Sequence, residues 1–244
     1  MRGPIVIAAM AALAACSGYS SHARDGSGTA VRSGETAQRE FALADFTEVS
    51  LRGPDNVEVS IGEAFAIRAE GDAEAIADLE IEVRGNTLRI GRDSDGWFGG
   101  NHNGRATIYV TMPVVRGASI SGSGDMTVER SSSDRFEASI AGSGNLVIAA
   151  LEAGSAEFDI AGSGDITAAG SSADVEIGIA GSGNVVIGDL RAERIDVSIA
   201  GSGDVDAFAT DSVDASIVGS GDVRVRGGAQ CQSSSMGSGD LRCS

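Results

Sequence analysis

Seven short motifs hold most of the side chains that could do chemistry. Gly-Ser-Gly followed by Asp or Asn begins at Gly122, Gly142, Gly162, Gly181, Gly201, Gly219 and Gly237. The motifs end in Asp125, Asn145, Asp165, Asn184, Asp204, Asp222 and Asp240. In a tight turn, an Asx side chain can bond nearby backbone amides. Carboxylates stacked at strand spacing also repel, by about 0.9 kcal/mol per neighbouring pair in water. A hard cation such as Ca2+ relieves that repulsion with oxygen ligands. Asn145 and Asn184 dilute the first part of the row, so Asp204, Asp222 and Asp240 form the candidate weak Ca2+ site. The plain alternative is that solvated Asx side chains only cap their turns. The spacing also lacks the nonapeptide signature of Ca2+-binding β-rolls. No other cofactor is expected.

The remaining candidates are few. Cys231 and Cys243 flank the last turn, twelve residues apart, and predict a disulfide that clamps the end of the fold; two thiols without His are a poor metal site. Trp97 and Phe98 stand in the one long Gly-rich, polar segment (91–105) and could form a contact loop for protein or glycan; the plainer alternative is a loop that folds back over the first coil. Only His22 and His102 are present, with no local catalytic signature, so Ser-His-Asp, Cys-His and His-metal chemistry are poor first expectations. No catalytic residue and no firm metal ligand is assigned. The 244-residue chain has 35 acidic against 18 basic side chains, a net charge of −17, which speaks against nucleic acid as a partner.

Those turns must be positioned by strands. The seven motifs recur at intervals of 18 to 20 residues, the mark of a repeat architecture. On both sides apolar and polar residues alternate, the period of a half-buried strand. The alternation points Ala138/Ile140, Phe158/Ile160, Val175/Ile177/Ile179, Ile195/Val197/Ile199 and Val213/Ala215/Ile217 inward before the turns. After them it points Met126/Val128, Leu146/Ile148, Ile166/Ala168, Val185/Ile187, Val205/Ala207 and Val223/Val225 the same way. A two-strand unit cannot bury its apolar face alone, whereas stacked copies share one core. The expected fold is therefore all-β, a solenoid of two-strand coils joined by Gly-Ser-Gly turns. Seven coils would extend roughly 34 Å. A meander of antiparallel hairpins is the rival topology.

The amino terminus reads as an address. Residues 1–15 place one Arg before a short apolar run, as in a signal peptide. Leu13-Ala14-Ala15-Cys16 resembles the bacterial lipobox, which implies lipidation of Cys16, and Ser17 after it implies the outer membrane. Residues 16–40 then form the lipidated Cys and a flexible tether, rich in Ser, Gly and charge.

The turns follow a β-rich segment containing Phe46-Thr-Glu-Val-Ser-Leu-Arg-Gly-Pro-Asp-Asn-Val-Glu-Val-Ser-Ile-Gly, Asn86-Thr-Leu-Arg-Ile and Ile108-Tyr-Val-Thr-Met-Pro. Over about residues 41–244 this resembles the autotransporter-adhesin head GIN domains of bacterial envelope proteins. The resemblance implies a single-stranded, right-handed β-helix or β-roll-like solenoid similar to pectin-lyase-like folds, and a role in adhesion. It carries no catalytic residues to transfer. One departure is that the strands end in Ile-Ala-Gly-Ser-Gly or close variants instead of a literal Gly-Ile-Asn. The domain layout is then irregular β-rich coils at 41–116 and the repeat solenoid at 117–244. The expected function is a non-catalytic envelope lipoprotein whose partners are the outer membrane, through its anchor, and a protein or glycan ligand. The alternatives are a polysaccharide-acting β-helix enzyme and a passive envelope component.

Overall fold

The computed structural model describes residues 36–92 and 104–244. The expected signal peptide (1–15), Cys16, the expected tether up to residue 35, and the contact-loop candidates Trp97 and Phe98, with His102, lie outside the described residues. The described chain is almost entirely strand. In order, it forms β1 (Thr36–Phe41), β2 (Glu48–Gly53), β3 (Asn56–Ile61), β4 (Ala66–Asp72), α1 (Ala73–Ala77), β5 (Leu79–Arg84), β6 (Thr87–Arg92) and β7 (Ala106–Met112). The repeats follow as β8 (Gly117–Gly122), β9 (Met126–Val128), β10 (Ser131–Gly142), β11 (Leu146–Gly162), β12 (Ile166–Gly181) and β13 (Val185–Gly201). The last elements are β14 (Val205–Gly219), β15 (Val223–Arg226), β16 (Gln230–Gly237) and β17 (Leu241–Cys243).

The repeats make a β-solenoid. Strands β10 to β14 each pair in parallel with the next, so every coil lies on the one before it. The register puts Ile140, Ile160, Ile179, Ile199 and Ile217 in one column. All five are buried, as is every inward position that the alternation names. Burial of one such side chain stabilises by about 1.5–3 kcal/mol, and each is covered largely by its counterparts above and below. No coil could keep that core alone.

Each coil is more angular than a pair of strands. In one, Leu146 and Ile148 point inward, then Leu151, then Ala156, Phe158 and Ile160. The inward parity flips twice, and the register with the next coil slips between Ile148 and Leu151. In the coil of β13 the same flips separate Val185/Ile187, Leu190/Ala192 and Ile195/Val197/Ile199. The expected two-strand coil is thus corrected to three inward-facing runs. The second connection is a corner within a continuous strand, so the backbone pairs through it and leaves no turn signature.

The first half is not a simple run of early coils. Strand β2 lies between β6 and β8, and β3 between β7 and β9, all in parallel. The coil of β6 and β7 therefore sits outside the coil of β2 and β3, although it comes later in the chain. Antiparallel strands close this end. β5 pairs with β6, β4 with β7, and β1 with β4. Helix α1 buries Ala75 and Ile76. Because β1 begins at Thr36, the last five residues of the expected tether belong to the folded domain.

Candidate functional site

The turns interlock through their backbones. In the turn at Gly162, the N–H groups of Ser163 and Gly164 both donate to the carbonyl of Gly142, at 2.8 and 3.2 Å. Gly162 has φ +140°, and a Cβ on it would lie 2.2 Å from that same oxygen. Gly164 needs no unusual φ, but its Cβ would lie 2.1 Å from the carbonyl of Gly144. The first Gly serves conformation and contact; the second serves contact alone.

The Asx row forms a hydrogen-bond ladder. Asp125 accepts from the backbone and side-chain N–H groups of Asn145 at 2.9 and 2.8 Å, and Asp165 does the same for Asn184. Asn184 accepts from the backbone of Asp204, Asp204 from Asp222, and Asp222 from Asp240. In the candidate Ca2+ trio, one oxygen of Asp204 and one of Asp222 thus hold the next turn. The second oxygen of Asp222 meets Arg224, and Asp240 meets Arg242. No group of three or more metal-ligating side chains occurs among the described residues.

An eighth turn joins this column. Gly53 pairs in register with Gly122, and Ser123 and Gly124 donate to the Gly53 carbonyl. The sequence there is Gly53-Pro54-Asp55-Asn56, and the Asn56 side chain accepts from the amide of Asp125 at 3.4 Å. Asp55 occupies the slot that is Gly in all seven repeats. Its side chain is fully buried and accepts two hydrogen bonds from Arg92, at 2.8 and 2.5 Å, and one from the amide of Ala106. Arg92 also donates to the Gly104 carbonyl. The hydrogen bond from Arg92 to Asp55 raises the guanidinium pKa despite burial. These contacts tie the end of β6 to the residues that lead into and begin β7. The sequence signal for the clamp was the Gly-Pro-Asp-Asn motif, hidden because only its first and last residues match the repeat.

Beside the turns, the longest run of each coil offers a broad outer face. One column holds Glu137, Glu157, Glu176, Asp196 and Asp214; the column nearest the turns holds Ala141, Ala161, Ala180, Ala200 and Val218. Between them lie Ser139, Asp159, Gly178, Ser198 and Ser216. The small residues leave an open groove of about 600 Å3 across these coils. Arg135 bonds Glu137 and Glu157 at 2.7 and 2.5 Å. Among the described residues no cation lies within ion-pair distance of Glu176, Asp196 or Asp214. Burial, then the neighbouring Asp159, push the Glu157 carboxyl above its usual range even with Arg135 beside it.

Residues 45–229 match the family described as "putative auto-transporter adhesin, head GIN domain". The chain belongs to this family. No curated protein is significantly similar to it. Several crystal structures share the fold of this head GIN domain. A "putative adhesin" of Bacteroides fragilis superposes with a TM-score of 0.79 at 24% identity, covering 86% of this chain and 98% of that one. A "putative lipid binding protein" of Parabacteroides distasonis gives 0.70 at 25% identity, over 86% and 97%. A "putative adhesin" of Parabacteroides merdae gives 0.64 at 18%, over 86% and 97%.

The far end of the solenoid, just beyond the matched residues, holds the disulfide. Cys231 and Cys243 are bonded, with Cα atoms 6.7 Å apart. Cys231 is half-buried, in register with Val213, and Cys243 is exposed, in register with Val225. The bridge thus joins two runs of the last coil at its rim.

Proposed function

We propose that this head GIN domain is a non-catalytic adhesion module of the cell envelope, lipid-anchored through Cys16 in the outer membrane. The observation that carries this reading is the outer face of β10 to β14. Five acidic residues stand in register across neighbouring strands, where like charges destabilise a sheet. Departures from local stability rules of this kind mark functional surfaces. The groove of Ala and Ser beside them admits close approach of a flat, positively charged partner surface. The lipobox-like Leu13-Ala14-Ala15-Cys16 supports the anchor.

The test is adherence to epithelial monolayers by cells that produce the full chain. Ala161→Arg with Ala180→Arg fills the groove with outward, exposed side chains and should leave the melting temperature unchanged. Adherence should fall by about tenfold or more, as for loss of an interface centre. Unchanged adherence, or wild-type cells no stickier than cells lacking the protein, overturns the reading. Palmitate labelling should disappear in Cys16→Ser. Release of reducing ends from polysaccharides by the purified chain would instead favour an enzyme.

A further inference from the structure

The two ends of the solenoid are finished differently. At the end closed by antiparallel strands, β1 pairs only with β4, and β5 only with β6, among the described residues. Both edge strands carry charge: Arg39 and Glu40 in β1, Glu80, Glu82 and Arg84 in β5. Charged side chains on an edge deter pairing with another chain. At the opposite end β16 pairs only with β14 among the described residues. Residues 227–239 hold no charged side chain and no Pro, so neither device guards this edge.

Its open backbone groups can be named. The N–H of Ser238 donates back to the Gly219 carbonyl. Alternation along the strand then points the N–H and C=O groups of Cys231, Ser233, Ser235 and Gly237 away from β14. In each earlier turn the first Gly carbonyl holds the next coil, as Gly219 holds Ser238 and Gly239; among the described residues Gly237 holds none. Ser233 and Ser235 take the inward places of Ala215 and Ile217, yet both are exposed. On the outer side Met236 is 74% exposed and its neighbour Val218 52%, the two highest values among the large apolar side chains described.

These features select the partner. An open strand edge is satisfied by another strand, and a second copy of this chain offers the same neutral one. Elsewhere a chain of charge −17 repels its like, and the charged edges at the other end disfavour a head-to-tail filament. We propose that two copies join tail to tail, β16 against β16 in antiparallel, about a two-fold axis through Ser234. Ser233 then pairs with Ser235 of the second copy, and Cys231 with its Gly237, each pair exchanging both backbone hydrogen bonds. The inward Ser hydroxyls bond across the strands, and Met236 packs on Gln232 of the second copy. Such an interface closes at two copies. Because the folded domain begins with β1 at the opposite end, the two amino-terminal segments leave the dimer in opposite directions. Resting on the anchored-adhesion reading, the dimer ties two facing membranes together, where many copies offset a weak single contact.

The test uses the full chain carrying Cys16→Ser, so that no lipid is attached. Sedimentation equilibrium should give a dimer with a Kd of about 1–100 µM, a transient contact. Adding Ser234→Cys should link two copies under mild oxidation, because residues opposite each other at a non-hydrogen-bonded place have Cα atoms about 4.5 Å apart. Gln232→Cys, which faces Met236 of the second copy, should not link. Ser233→Pro removes an N–H that β14 does not use, so it should leave the melting temperature unchanged and abolish the dimer. Ser234→Lys, which sets like charges face to face, should weaken it severalfold. The full chain with Cys16 intact, loaded on phosphatidylethanolamine–phosphatidylglycerol vesicles, should aggregate them, and Ser233→Pro should disperse them. A chain that dimerises but does not load on vesicles sinks the anchor and leaves the tail contact standing. A monomer at about 100 µM, equal linking of the two Cys variants, or open-ended oligomers overturns the proposal.

Discussion

The turn at residues 53–56 and the repeat turns stacked on it occupy the same slot, yet differ at its third residue. In the repeats that residue is Gly, because a Cβ would run into the carbonyl of the preceding coil. At Asp55 the neighbours on that side are the end of β6 and the start of β7, and a side chain fits between them. The space is polar, and Arg92 and the Ala106 amide fill it. A buried carboxylate is tolerable only with such partners. Composition at this slot is therefore dictated by the neighbouring coil more than by the turn itself.

Gly183→Ala is the harshest test of that contrast. Its Cβ would lie 2.1 Å from the Gly164 carbonyl, and we expect a loss of about 4 kcal/mol or more in urea denaturation. Gly53→Ala, at φ +109° with no atom within 4 Å of the new Cβ, should cost only about 1–2 kcal/mol. Equal costs would break the argument. Asp55→Ala strands the buried Arg92 and should cost about 3 kcal/mol. Adding Arg92→Met should restore much of that, which a double-mutant cycle would show.

Smaller effects sharpen the comparison at the opposite end. Reduction of Cys231–Cys243 should cost about 2–3 kcal/mol. Hydrogen exchange should quicken in β16 and β17 while β10 to β13 stay protected. The smallest effect is at Glu157, whose pKa is raised by burial and by Asp159. The folded state holds that proton more tightly than the unfolded chain, so stability falls as pH rises through the carboxylate range. Glu157→Gln should raise the melting temperature slightly above about pH 5 and leave it unchanged below about pH 4.

Much of the repeat was legible in the sequence. Period-two alternation named the inward residues of β10 to β14, because side chains on a strand point to opposite faces whatever lies beyond it. The Asx row was legible as a column, and the Cys pair as a clamp. The corner within each coil was not, since Leu151 or Leu190 reads as ordinary alternation until its parity is set against the neighbouring run. The end cap was less legible still. Strands β1, β4 and β7 are far apart in the chain, and only antiparallel pairing brings them together.

The sequence by itself determined that this chain repeats, that its strands have one apolar side, and that tight Gly turns separate them. Those are local properties, set by residue type and spacing. The tertiary structure alone decided which coil lies outside which. It made Gly53-Pro54-Asp55-Asn56 an eighth turn, and it assigned the charges at the domain's end their partners. Such choices depend on what stands about 4.8 Å away on the adjoining strand, and no local pattern records that neighbour.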